Sequence, residues 1–190
     1  MKNYLSKLIL SFLMFSCSSE DETTNNPNQG NTGNTGANIT SNRQATGSSS
    51  NDLLSDSKYK KIILEIAYIE GFEPLEATKN KLKDFINERM FKPNGIEIVT
   101  KSIPETGSNQ YSINDIVALE NEHRTKYNTE ETIAVWLFFV NGESSNNTSS
   151  GSVLGTAYYN TSFVIFEETI REFSNSAFEP ERSLLEATVV

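Results

Sequence analysis

The chain predicts an α/β fold, a mixed, twisted five-stranded sheet with two covering helices and a truncated third helix, and three observations predict it. Runs rich in β-branched and aromatic residues recur at 60–69, 96–99, 132–140, 155–159 and 162–166, the composition that suits a pleated, covered surface. Between the first two runs, Leu75, Leu82, Phe85, Ile86 and Met90 recur at helical spacing, so strand, helix and strand make a right-handed parallel crossover. The last two runs are separated only by Asn160 and Thr161, which predicts a hairpin.

The chain begins with a targeting pattern. Lys2 and Lys7 supply positive charge ahead of an apolar stretch over 8–15 that is too short to span a bilayer, so residues 1–16 read as a signal peptide. The single cysteine, Cys17, follows directly. Leu13-Met14-Phe15-Ser16-Cys17 resembles a lipobox, with Met14 and Phe15 departing from the favoured residues, and lipidation of Cys17 is expected; the alternative is an unlipidated thiol after an ordinary signal peptide. Ser18-Ser19-Glu20-Asp21-Glu22 resembles an acidic surface-export tag and reads equally as a solvated linker. Residues 18–57 are mostly Ser, Asn, Thr, Gly and acid, too apolar-poor to offset the entropy of ordering, so 17–57 is expected to be a disordered tether and folding to start at Lys58. The expected location is a bacterial outer membrane or cell surface.

Each element of the folded part has its own signal. The first strand, 60–69, is apolar on both faces and ends at Gly71. Pro74 stands as the first residue of the helix that follows, and Lys92-Pro93-Asn94-Gly95 breaks it. After a second strand at 96–99, residues 102–111 are polar and contain Pro104 and Gly107. Ser112 and Asp115 then form a capping box for a second helix to about Tyr127, with Ile113, Ile116 and Val117 facing the sheet. The run 132–140 is the most apolar in the chain and belongs at the sheet centre, with Trp136, Phe138 and Phe139 in the core. A polar loop over 141–152 returns the chain and makes the tyrosine strand antiparallel. A polar connection holding Asn175 and Pro180 leads to a helix that opens at Ser183 and is cut off at Val190.

A net charge of −9 and a pI near 4.7 exclude nucleic acid as a partner, because phosphate binding needs a basic face. The one histidine, His123, lies in Glu120-Asn121-Glu122-His123-Arg124 and reads as a surface residue. A catalytic zinc site needs three protein ligands, which this composition does not supply. Glu130-Glu131 and Glu167-Glu168 are adjacent carboxylates whose side chains diverge, so neither makes an acid/base couple, and both read as solvated. The Asn-x-Thr/Ser triplets at Asn38, Asn146, Asn147 and Asn160 are given no role.

The segment Leu154-Gly155-Thr156-Ala157-Tyr158-Tyr159-Asn160-Thr161-Ser162, followed by an apolar strand and Glu186-Ala187-Thr188-Val189-Val190, resembles the approach to the active-site helix of metzincin-like zinc peptidases, including lipid-anchored bacterial ones. The resemblance covers 58–190. It implies the strand order second, first, third, fifth, fourth, with the antiparallel fourth strand at the edge, where Gly155, Thr156, Ala157 and Tyr158 pair with the main chain of an extended peptide or protein substrate. Read without it, the strand is an ordinary edge covered by the 141–152 loop. The resemblance further implies that His-Glu-x-x-His follows Val190, so that zinc belongs to the full-length family member and this chain carries no catalytic or metal-binding residue of its own. The expected function is therefore the N-terminal fragment of an exported, membrane-anchored zinc endopeptidase, inactive alone. The alternative is a surface lipoprotein with a non-catalytic α/β module that binds peptide or glycan.

Overall fold

Side chains along β1 (Lys61–Ile69) divide between two cores, Ile62, Leu64 and Ile66 entering the one on one face of the sheet and Ala67 and Ile69 the one on the other, the period-two geometry of a strand covered on both sides. The computed structural model describes residues 39–175 together with Arg182 and Glu186. β1 pairs in parallel with β2 (Ile96–Ile103) from Ile62↔Ile96 to Ile69↔Ile103. On its other side it pairs in parallel with β4 (Thr132–Val140) from Lys61↔Thr132 to Tyr68↔Phe139. β7 (Ser162–Phe166) lies parallel to β4, and β6 (Gly155–Tyr159) lies antiparallel to β7 at the edge. The order β2-β1-β4-β7-β6 is the second, first, third, fifth, fourth arrangement expected. A two-stranded ribbon of β3 (Gln110–Tyr111) and β5 (Glu143–Ser144) stands beside it.

The strand with the most continuous apolar run is the most buried. Leu137 and Phe139 of β4 join one core with Leu82 and Ile86 of α2 (Glu76–Arg89), while Trp136 and Phe138 join the other with Ile116 of α3 (Ile113–His123). Removing one such large side chain from water contributes about 1.5–3 kcal/mol, so this strand alone anchors both layers.

Where the sequence and the structure differ, a tertiary contact accounts for it. α3 opens on the expected box, Ser112 accepting from Asp115 N–H while the Asp115 carboxylate accepts from Ser112 N–H. It ends at His123 rather than near Tyr127 because the buried Glu65 carboxylate accepts from Thr125 N–H, Lys126 N–H and the Thr125 hydroxyl, which draws the chain off the helix axis. β2 runs on to Ile103, past the expected end at Val99, because β1 offers it backbone partners along its whole length, and the Lys101 ammonium donates to His123 O while Ser102, on the opposite face, is exposed. Pro74 sits one residue outside Leu75, the N-cap of α2. The connection after β7 contains a helix the sequence reading missed, α4 (Glu167–Ser174). The helix expected from Ser183 lies outside the described residues except for Glu186, which is helical, as is Arg182 just before it.

The expected tether is corrected over residues 39–57. A 3₁₀ turn at Ile39–Asn42 and the short helix α1 (Ser50–Leu54) pack onto the domain, although almost nothing there is apolar. Polar side chains hold them. The fully buried Asn42 carboxamide nitrogen lies 2.9 Å from each of Asn128 Oδ1, Ala134 O and Thr161 Oγ1, and its oxygen accepts from Asn128 N–H. The Lys92 ammonium donates to the carbonyls of Asp52, Ser55 and Tyr59, and burial holds its pKa below the ordinary lysine value. Composition alone could not show this, because each hydrogen bond joins residues far apart in sequence. Residues 17–38 of the expected tether, with Cys17 and the signal segment, lie outside the described residues.

Candidate functional site

Among the described strands, β6 hydrogen-bonds to β7 alone. The ladder runs Gly155↔Ile165, Thr156↔Val164, Ala157↔Phe163 and then slips to Tyr159↔Ser162, so Tyr158 stands in a bulge. Gly155, Thr156, Tyr158 and Tyr159 are half-buried and Ala157 is exposed. The 141–152 loop gives its backbone bonds elsewhere: Glu143 N–H to Asn109 O, Ser145 N–H to Tyr111 O, and Thr148 to Gly151. Among the described residues, none but those of β7 hydrogen-bonds to the β6 backbone, so its outer row of peptide groups faces outward. Such a row can take an added strand.

Beneath the bulge lies a buried polar network. The Arg124 guanidinium places all five N–H groups: Nη1 on Glu120 Oε1 and Ser162 Oγ, Nη2 on Ala134 O and Thr161 Oγ1, Nε on Lys126 O. The Ser162 hydroxyl in turn donates to Glu120 Oε1. The Glu120–Arg124 pair is 2.6 Å apart with side chains at most 1% exposed. The Tyr158 hydroxyl is held above the ordinary phenol range, by burial first and then by the negative charge of Glu120, so it stays neutral. The Tyr158 side chain packs inward against the core around Trp136, while its hydroxyl finds no hydrogen-bond partner among the described residues.

A second cluster gathers past the carboxyl ends of β1 and β7. Glu167, fully buried at the start of α4, has Oε1 2.9 Å from Arg171 Nε and 2.5 Å from Arg182 Nη2. Glu186 Oε1 lies 2.6 Å from Arg182 Nε, while Glu186 Oε2 accepts from Leu75 N–H and from the Thr78 hydroxyl, so it caps a helix that has no cap of its own. Arg171 and Arg182 also donate to Gly71 O and Glu73 O. Burial, reinforced by the charge of Glu186 and opposed by Arg171 and Arg182, pushes the Glu167 carboxyl up to about 7. The reading of Glu167 as solvated is thus overturned: its helix turns it under the sheet's end, while Glu168 is half-buried and Glu130 and Glu131 are exposed as expected.

The structure keeps the other singled-out residues apart. His123 ends α3, where its carbonyl accepts from Lys101, and Asn160 sits in the β6–β7 turn, 5% exposed. Asn38 is outside the described residues. Among the described residues no three His, Cys, Asp or Glu side chains are grouped to hold a metal ion, and the donor set there does not fit zinc. The sequence reading missed Glu120, Arg124, Ser162 and the Glu167 cluster. A signal existed, since Glu120–Arg124, Glu167–Arg171 and Arg182–Glu186 are all spaced four apart. Spacing fixes a helical pair but not its burial.

Compared with protein-family models, with curated proteins and with solved structures, the chain matches none.

Proposed function

We propose that this chain is the substrate-holding front part of an exported, lipid-anchored zinc endopeptidase, and that on its own it binds extended peptide without cleaving it. The observation that carries the reading is the open backbone edge of β6, antiparallel in an otherwise parallel sheet and free of hydrogen bonds from other described elements. A peptide laid along it completes backbone hydrogen bonds, and the small Gly155 and Ala157 admit another main chain closely. No charged side chain or proline guards this edge, whereas β2, the opposite edge, carries Glu97 and Lys101. No catalytic step is assigned to residues of this chain.

Hydrogen exchange of the protein with an excess of unstructured peptide tests the binding half. The β6 amides should gain protection, and Ala157→Pro, which removes one N–H and disturbs the strand, should abolish the gain. Unchanged exchange across 155–159 would overturn the reading. The catalytic half is tested on the gene: a coding frame without His-Glu-x-x-His shortly after Glu186 leaves only a non-catalytic peptide-binding module.

A further inference from the structure

The ordered polar segment 39–54 borders an open surface cavity that neither the edge strand nor the buried ion pairs use. Its volume is about 360 Å³, within the range of small-molecule sites. Asn160, in the β6–β7 turn, forms the floor: its carboxamide donates to Ser41 O at 2.8 Å and Ser49 Oγ at 2.6 Å and accepts from Gln44 N–H at 2.9 Å. Gln44 O accepts from Asn160 N–H, so side chain and backbone together fasten the segment. Thr40, Gln44, Ser48, Asp52 and Lys58 are also in its lining.

The chemistry of this lining selects a ligand class. The lining contains no aliphatic side chain, and its aromatic ring, Tyr59, is 3% exposed beneath Lys58, so an apolar ligand gains little. One carboxylate and one ammonium, Asp52 Oδ2 and Lys58 Nζ, stand 3.7 Å apart and balance, so neither an anion nor a cation is preferred. They offer a strong acceptor beside a strong donor, flanked by hydroxyl and amide groups. Adjacent hydroxyls of a sugar ring match that pairing, since each hydroxyl both donates and accepts. The site is also preorganised: Asn42 bonds Ala134 O, Lys92 bonds Tyr59 O, and Asn160 commits its carboxamide to Ser41, Ser49 and Gln44, which holds the segment in place and lowers the ordering cost of binding.

We propose that the cavity between Gln44, Asp52, Lys58 and Asn160 binds a neutral polyhydroxylated ligand, a mono- or disaccharide unit. The site is separate from the backbone edge of β6 and stands or falls without it. The test is titration of the full chain with glucose, galactose, mannose and N-acetylglucosamine, each followed by the backbone amide shifts of Gln44, Ser48 and Asp52, with inorganic phosphate as the charged probe. At least one sugar should shift these amides saturably, with a dissociation constant on the order of millimolar. Asp52→Ala and, as a second variant outside any helix, Gln44→Ala should each weaken it about tenfold, the loss expected for one strong hydrogen bond, with thermal unfolding unchanged. Linear shifts with all four sugars, saturation by phosphate instead, or affinity unchanged in both variants would overturn the proposal.

Discussion

Arg124 shows how much one side chain can organise. It lies at the end of α3, yet its donors reach the turn after β6, the interior of β4 and its own helix, and among the described residues its charge is matched by Glu120 alone. Arg124→Met should cost about 3–5 kcal/mol, because it leaves the Glu120 carboxylate buried without a counter-charge; denaturant unfolding checks this, and the double variant Arg124→Met/Glu120→Leu should recover most of the loss. Gly142 is a second such point for a steric reason. A Cβ there would lie 2.5 Å from the backbone of Asn109, where the ribbon of β3 and β5 closes on itself. Gly142→Ala should destabilise by about 1–3 kcal/mol, read in the same unfolding measurement.

Helix α4 carries the pH dependence. Glu167 is charged in the unfolded chain above its ordinary value of 4.5, but burial raises it to about 7 in the fold. Between those values the folded state holds a proton that the unfolded state has lost, so stability falls as pH rises from about 4.5 to 7 and levels off above. The groups facing Glu167 are Arg171 of its own helix and Arg182 and Glu186 of the following segment. Thermal unfolding from pH 5 to 8 should show this decline, and Glu167→Gln should flatten it; an equal slope in the variant would show that another group titrates. The capping box of α3 was legible in the sequence because its partners are three residues apart. The cap of α2 was not, because it comes from Glu186, and the long-range reach of Glu65 that ends α3 was equally hidden.

At the scale of the whole molecule, the domain is larger than its apolar residues announce. A chain beginning at Lys58 loses Asn42 and two of the three carbonyls that satisfy Lys92, those of Asp52 and Ser55, and exposes Thr161 and Asn128. It should melt roughly 5 °C or more below a chain beginning at residue 39; equal melting temperatures would show that the polar segment adds no stability. By itself the sequence determined the five strands, the two main helices and the strand alternation around β4, because these follow from local periodicity and from apolar runs long enough to be covered on both faces. The edge position of β6 was implied by the family resemblance rather than by its own residues, and the sheet order agrees with it. Only the tertiary structure decided that 39–57 is part of the fold, that the 141–152 loop turns toward Tyr111 instead of over β6, and that Glu167, Glu120 and Arg124 are interior. The physical reason is common to all three: each depends on hydrogen bonds or charges whose partners are distant in sequence, and a polar residue's burial is set by its partner rather than by its own composition.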